Sequence, residues 1–273
     1  MTTVEYDLIN YQEKEPHRKI EVQATPEQLQ SFAENGYLVL ERVLTPEHLE
    51  ELRNGLMEVV ERENPPSKKQ SYGREYGGIY ARGLLDKHKA FHSLINFPPV
   101  TTVAQAMLGP RIQIRSFSGR VTYPDAPAET KWHIDNRSWI EPMPPFYIYP
   151  SSINCIYYLD DLTPETGGLG VVPGTHKHST PPPDDFREIP EEVVLYVPAG
   201  SVVMKNTGIW HRGRINKPGG GIRRNLLVGH SPIWMKHANF DGFSNVGGEL
   251  TRPLIENGDP FMRDLLGAEH GLG

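Results

Sequence analysis

The chain has 273 residues, long enough to bury a substantial core, which excludes a disordered tail and a disulfide-stapled miniprotein. Its 28 basic and 34 acidic side chains leave a net charge of −6, so it offers no basic field to a nucleic-acid backbone or an anionic membrane. A single cysteine, Cys155, permits no internal disulfide and excludes cysteine zinc sites and iron–sulfur clusters, leaving histidines and carboxylates to hold any metal. The opening MTTVEYDLIN does not resemble a secretory signal, and no stretch approaches the roughly 20 apolar residues that span a bilayer. The expectation is a soluble cytoplasmic protein. With 26 glycines and 25 prolines, the composition suits short strands joined by many turns and predicts a mainly β fold.

Residues 1–24 are polar and without period, which predicts an extended N-terminal arm. Thr25-Pro26-Glu27-Gln28 supplies a capping hydroxyl, a proline for the first helical turn and a glutamine three residues after the cap, predicting a short helix that ends near Gly36. Residues 37–40 read as a buried strand, and Thr45-Pro46-Glu47 opens a second helix carrying Leu49, Leu52, Leu56, Val59 and Val60, stopped by Pro65-Pro66. A third helix is predicted over 99–108, closed by Gly109-Pro110. Strands follow over 112–123, 153–159, 169–172, 193–197, 201–205 and 226–229, separated by Gly/Pro turns. Strands without intervening helices predict a sandwich or jelly roll behind an N-terminal helical layer, and with no repeat and no long linker the whole of 1–273 is expected to be one domain.

Trp132-His133-Ile134-Asp135 follows a Pro-rich turn, and in an extended segment His133 and Asp135 face the same side because side chains repeat every two residues. A third imidazole, His211, lies in Gly208-Ile209-Trp210-His211-Arg212-Gly213. Two histidines and one carboxylate on a strand scaffold suit the facial arrangement of non-haem Fe(II), which leaves coordination positions for a cosubstrate and dioxygen. Downstream, a glycine turn feeds Ile222-Arg223-Arg224-Asn225-Leu226-Leu227-Val228, where an arginine one strand from a metal ligand can clamp a distant carboxylate through two parallel hydrogen bonds. Adjacent strand residues face opposite ways, so either Arg223 or its alternate Arg224 points inward.

From about Thr25 to Val228 the sequence resembles the phytanoyl-CoA dioxygenase family of Fe(II)/2-oxoglutarate oxygenases. The segments that carry the resemblance are FAENGYLVLERVLTPEHLEELR, the His133, Asp135 and His211 set, and Glu165-Thr166-Gly167-Gly168 running on to Pro173-Gly174-Thr175-His176-Lys177. The resemblance implies a double-stranded β-helix with N-terminal helices packed on one sheet. It also implies an iron triad of His133, Asp135 and His211, 2-oxoglutarate held by Arg223, and a reaction that uses O2 and decarboxylates 2-oxoglutarate to succinate while oxidising a substrate. In that family the Pro-Gly-Thr-His segment is a turn beside the site, so His176 and His178 are left out of the ligand set. Trp132 and Trp210, by strand alternation, point away from the metal into the core.

Ser118, Arg120 and Thr122 share one face of a predicted strand and are candidates for substrate or cosubstrate contact if that face lines the barrel, and an ordinary solvated face if it does not. The aromatic, proline-interrupted stretch from 136 to 152, with Trp139 as a further substrate candidate, suits a lid over an apolar pocket or a packed surface loop. The expected function is oxidation, foremost hydroxylation, of a small organic molecule, because Asp135 fills the position that related halogenases leave to chloride. Desaturation, cyclisation or epimerisation would use the same triad, and a jelly-roll metal-binding module without turnover is the alternative from another class. The acidic balance disfavours nucleic acid as the substrate.

Overall fold

The computed structural model describes residues 2–8, 18–63, 78–124, 129–135, 152–178, 180–235 and 246–268. Two extended segments come first, β1 (Thr2–Leu8) and β2 (Arg18–Ala24), and they pair antiparallel with each other. The terminal arm is therefore extended, as its sequence suggested, but laddered onto itself. Thr25 then caps α1 (Pro26–Asn35) through a complete capping box: its hydroxyl accepts from Gln28 N at 3.1 Å, and the Gln28 side chain accepts from Thr25 N at 2.8 Å. Gly36 ends the helix at φ +82°, and a Cβ there would lie 2.5 Å from the His176 ring. Glycine is thus needed both for the left-handed turn and for the approach of the Pro-Gly-Thr-His turn, whose His176 Nε2 hydrogen-bonds Ala33 O at 3.2 Å.

β3 (Tyr37–Leu40) leads into α2 (Pro46–Glu63), which buries the predicted stripe of Leu49, Leu52, Leu56, Val59 and Val60. The predicted stop at Pro65-Pro66 lies outside the described residues. β4 (Ile79–Arg82), α3 (Pro98–Leu108) and β5 (Ile112–Thr122) follow. Then come β6 (Ile153–Tyr158), β7 (Leu169–Val172), β8 (Val193–Leu195), β9 (Val202–Asn206), β10 (Trp210–Gly213) and β11 (Arg223–Pro232). Two short helices, α4 (Arg252–Asn257) and α5 (Pro260–Leu265), close the described chain.

The strands form an antiparallel six-stranded sheet, in the order β3-β9-β6-β11-β5-β4, and a three-stranded sheet, β10-β7-β8. Period-two alternation gives the larger sheet two distinct faces. Cys155 and Tyr157, Val202 and Met204, and Leu226 and Val228 pack under the helices with Leu52, Leu56 and Phe91. Ile156, Tyr158 and Val203 face the other way and pack with Leu169 and Val171 of the smaller sheet. This is a jelly roll, one of the two architectures that the run of strands predicted, with the helices covering one sheet. On β5 the ladder to β11 skips Arg115 at the Gly229/His230 irregularity, so alternation changes phase there. Ile112, Ile114, Phe117 and Val121 all reach the helical side as a result, while Ser116, Ser118 and Arg120 line the space between the sheets.

The C-terminal helices were not foreseen. They are tied down by two acids: Asp86 accepts from the backbone N–H groups of Gly248 (2.9 Å) and Thr251 (2.8 Å), and Asp264 pairs with Arg111 at 2.6 Å.

Candidate active site

His133 and His211 are held together by backbone first: His133 N donates to His211 O and His211 N to His133 O, both at 3.0 Å, while Asp135 N donates to Thr207 O at 2.9 Å. The short irregular segment that carries His133 and Asp135 is thereby stitched to the ends of β9 and β10. Each imidazole then commits its Nδ1–H to a carbonyl two residues before it, His133 to Lys131 O (2.7 Å) and His211 to Ile209 O (2.9 Å). A carbonyl only accepts, so both rings carry a proton on Nδ1 and turn Nε2 inward. The ring centroids are 4.1 Å apart, and one ligand atom from each of His133, Asp135 and His211 lies within 4.8 Å of the others.

The electrostatics match that arrangement. Burial, with His211 beside it, pushes His133 down to about 3, which keeps the imidazole neutral. Burial alone would raise the Asp135 carboxyl, but Lys205 above all, then His211 and His133, holds it well below the usual carboxylate range. Asp135 Oδ2 accepts from Lys205 Nζ and from Asn154 Nδ2 (2.8 Å), and Oδ1 faces His211 Nε2 at 3.4 Å. An imidazole held neutral, a second imidazole fixed by its Nδ1–H and one ionised carboxylate, all aimed at one point, fit a divalent transition metal.

This point lies in the wall of a cavity of about 340 Å³ between the two sheets, whose lining includes Ser118, Arg120, Asn154, Tyr158, Lys205 and Arg223. Arg223 is 4 % exposed; its Nη1 donates to Thr166 O (2.8 Å), Gly167 O (2.9 Å) and Arg214 O (3.0 Å), which fixes the guanidinium plane at the cavity edge. Burial, and then the neighbouring Arg120, lowers Arg223 to about 10. Two guanidiniums this close to each other at the cavity make it suited to an anion.

Residues 32–225 match the model of the phytanoyl-CoA dioxygenase (PhyH) family, which is most of the chain. The chain belongs to the phytanoyl-CoA dioxygenase family. This is a family of non-haem iron dioxygenases that use 2-oxoglutarate and O2. Among its relatives, dioxygenase af480 of Aspergillus fumigatus is 26 % identical over 182 residues, covering 65 % of this chain and 54 % of the relative. The chain thus spans about half the length of that relative. Among solved structures, the non-heme alpha ketoglutarate dependent carbocyclase SnoK from nogalamycin biosynthesis superposes with a TM-score of 0.66 at 21 % identity, over 83 % of this chain and 95 % of SnoK. HygX from Streptomyces hygroscopicus, with nickel and 2-oxoglutarate bound, superposes at 0.64 and 19 % identity, over 84 % of this chain and 97 % of HygX. Likeness at that level is one of fold.

Within the PhyH chain the other sequence candidates sort by register. Arg223 lines the cavity; Arg224, its strand neighbour, turns to the helical side and forms a bidentate pair with Asp160 at 2.7 and 2.9 Å. Arg224 is thus an ion-paired side chain on the opposite face of the strand from the cavity. Arg120 lines the cavity, but Thr122 does not: it is fully buried, and its hydroxyl donates to Arg223 O at 3.4 Å. Trp139 and the expected lid fall outside the described residues. Trp132 is buried beneath Arg212, whose guanidinium lies 4.6 Å from the ring centroid, and its Nε1 donates to Arg187 O at 2.8 Å. His176 bonds to Ala33 and takes no part in the cluster.

Lys205 and Asn154 went unnoticed in the sequence. Their signal was a charged and an amide side chain inside the apolar strand sequences VVMKN and INCIYY, at positions whose strand neighbours are buried on both faces.

Proposed function

We propose that the protein is an Fe(II)/2-oxoglutarate-dependent dioxygenase that hydroxylates a small organic molecule. His133, Asp135 and His211 would hold the iron, and Arg223 the distal carboxylate of 2-oxoglutarate. The observation that carries this reading is the convergence of two Nδ1-locked imidazoles and an ionised carboxylate on one wall of a cavity that also contains a buried, carbonyl-anchored arginine. Iron bound there supplies the means to couple O2 reduction and 2-oxoglutarate decarboxylation to oxidation of a substrate C–H bond. The chain's own residues do the rest. Arg223 orients the cosubstrate by a forked, charge-assisted contact, Arg120 adds positive charge beside it, and the walls of Ile156, Leu169 and Leu227 exclude water from the reacting centre.

Asp135 supports hydroxylation over halogenation, since its carboxylate fills the third protein position. Cyclisation, as in the name of SnoK, would use the same residues on a different substrate. The reading takes 1–273 as one domain acting in the cytoplasm on a small molecule, not on nucleic acid or a membrane; no described helix is long and apolar enough to cross one.

The test is anaerobic titration of the Fe(II)-loaded protein with 2-oxoglutarate. A weak visible metal-to-ligand charge-transfer band is expected on chelation. Bound iron with no band would overturn the reading in favour of a metal-binding module without turnover.

A further inference from the structure

A buried ammonium persists in a protein interior only where it is paired and hydrogen-bonded. Lys205, the fourth of the five residues of β9, is 1 % exposed and forms that pair with Asp135, not with a surface acid. Its direct cross-strand partner on β6 is Asn154, so the two side chains leave adjacent strands on the same face. They meet at one atom: Lys205 Nζ and Asn154 Nδ2 (2.8 Å) both donate to Asp135 Oδ2. The second carboxylate oxygen, Oδ1, is the one that faces His211 Nε2 at 3.4 Å. The two oxygens of a single carboxylate are therefore assigned different work, one saturated by donors from the sheet and one turned to the histidines.

We propose that Lys205, assisted by Asn154, is a positioning residue that restricts Asp135 to metal ligation through Oδ1 alone. The proposal rests on the iron reading above. A carboxylate whose second oxygen is free can bind a metal through both, and at a facial site that would take up a position needed by the two chelating atoms of 2-oxoglutarate or by O2. Two donors on Oδ2 use the lone pairs that such a mode requires. The ammonium also withdraws electron density from the carboxylate, making it a weaker donor to the metal. A purely structural counter-ion would share the burial and the ion pair, so the decisive readout must come from the metal.

The experiment compares wild type, Lys205→Met and Asn154→Ala as full-length proteins, loaded anaerobically with Fe(II) to verified stoichiometry and titrated with 2-oxoglutarate. In Lys205→Met the cosubstrate dissociation constant is expected to rise about tenfold. The charge-transfer band is expected to move to longer wavelength, because the uncompensated carboxylate donates more strongly to iron. Asn154→Ala is expected to shift both in the same direction by less. A folded, iron-loaded Lys205→Met with the wild-type band and affinity would overturn the proposal while leaving the oxygenase reading intact. If Lys205→Met does not fold, Asn154→Ala decides alone, and an unmoved band there is equally fatal. Wild-type protein that takes up iron and shows no band would overturn both readings.

Discussion

Arg223 and Arg224 are chemically identical neighbours separated by one step of strand alternation, and their surroundings assign them opposite roles. Arg224 sits against Asp160, which raises its guanidinium through a side-chain hydrogen bond, so its charge is already neutralised. Arg223 has carbonyls on Nη1 and another guanidinium nearby, so a carboxylate in the cavity is its natural counter-ion. Arg223→Ala should therefore weaken 2-oxoglutarate binding to the metal-loaded protein by roughly 10²-fold, the cost of losing a charge-assisted bidentate contact, and leave metal uptake unchanged. Arg224→Ala should leave cosubstrate affinity within about twofold of wild type. Calorimetric titration of both variants checks this, and the reverse pattern would mean that the strand register is misassigned. A second titratable group lies away from the site. His230 is fully buried, with Nδ1 3.5 Å from Cys155 Sγ and no partner for Nε2 among the described residues, and burial lowers it from 6.5 to about 4. A depressed imidazole favours the fold above pH 6.5, and that advantage is lost as the pH falls toward 4, because the unfolded chain takes up the proton first. From this residue alone, unfolding free energy should drop by about 2 kcal/mol between pH 6.5 and about pH 5. Urea unfolding of His230→Leu should show a correspondingly flatter acid limb, and parallel limbs would refute the assignment.

Among the elements, the turn at Gly167 shows how backbone freedom serves the site. Its φ is +82°, and an added Cβ would lie 2.5 Å from Arg214 O and 2.7 Å from Arg223 Nη1. Gly167→Ala should cost about 1–3 kcal/mol of stability and, because it pushes on the guanidinium, weaken 2-oxoglutarate binding as well. Thermal unfolding and cosubstrate titration read the two effects separately, and a loss of stability without any loss of affinity would mean that Arg223 is not seated by this turn. The turn was legible in the sequence, since Glu165-Thr166-Gly167-Gly168 announces itself by composition; so were the capping box at Thr25, the stripe on α2 and the inward face of Arg223. What was not legible depends on pairing across the chain. The four residues Trp210–Gly213 have no alternation of their own and become a strand because Val172 to Leu169 pair with them. The extra residues of β11 come from its ladders to both β5 and β6. The grouping of Lys205 and Asn154 around Asp135 needs three separate segments in register, and no local window contains it.

At the scale of the whole molecule, the site draws its residues from both sheets and from the link between two strands. His133 and Asp135 come from the link between β5 and β6, His211 from the smaller sheet and Arg223 from the larger, while Arg212 anchors β10 through a buried pair with Glu192 (Nε to Oε1, 3.0 Å). A ligand that bridges both sheets binds only the folded arrangement and so stabilises it by mass action. Metal comes first in this scheme, because without it the triad offers 2-oxoglutarate no chelating partner and Asp135 is already compensated by Lys205. Ni(II) at about a hundred times its dissociation constant should add roughly 2.7 kcal/mol, a rise in Tm of roughly 5–10 °C for a chain of this size. 2-Oxoglutarate should then give a further rise in the metal-loaded protein and almost none in protein treated with a chelator. In Arg223→Ala the first step should survive and the second should vanish; in His133→Ala both should vanish. Thermal scans over this grid of protein, metal and cosubstrate check the order, and a cosubstrate shift that is independent of metal would show that the dianion binds elsewhere than across the triad and Arg223.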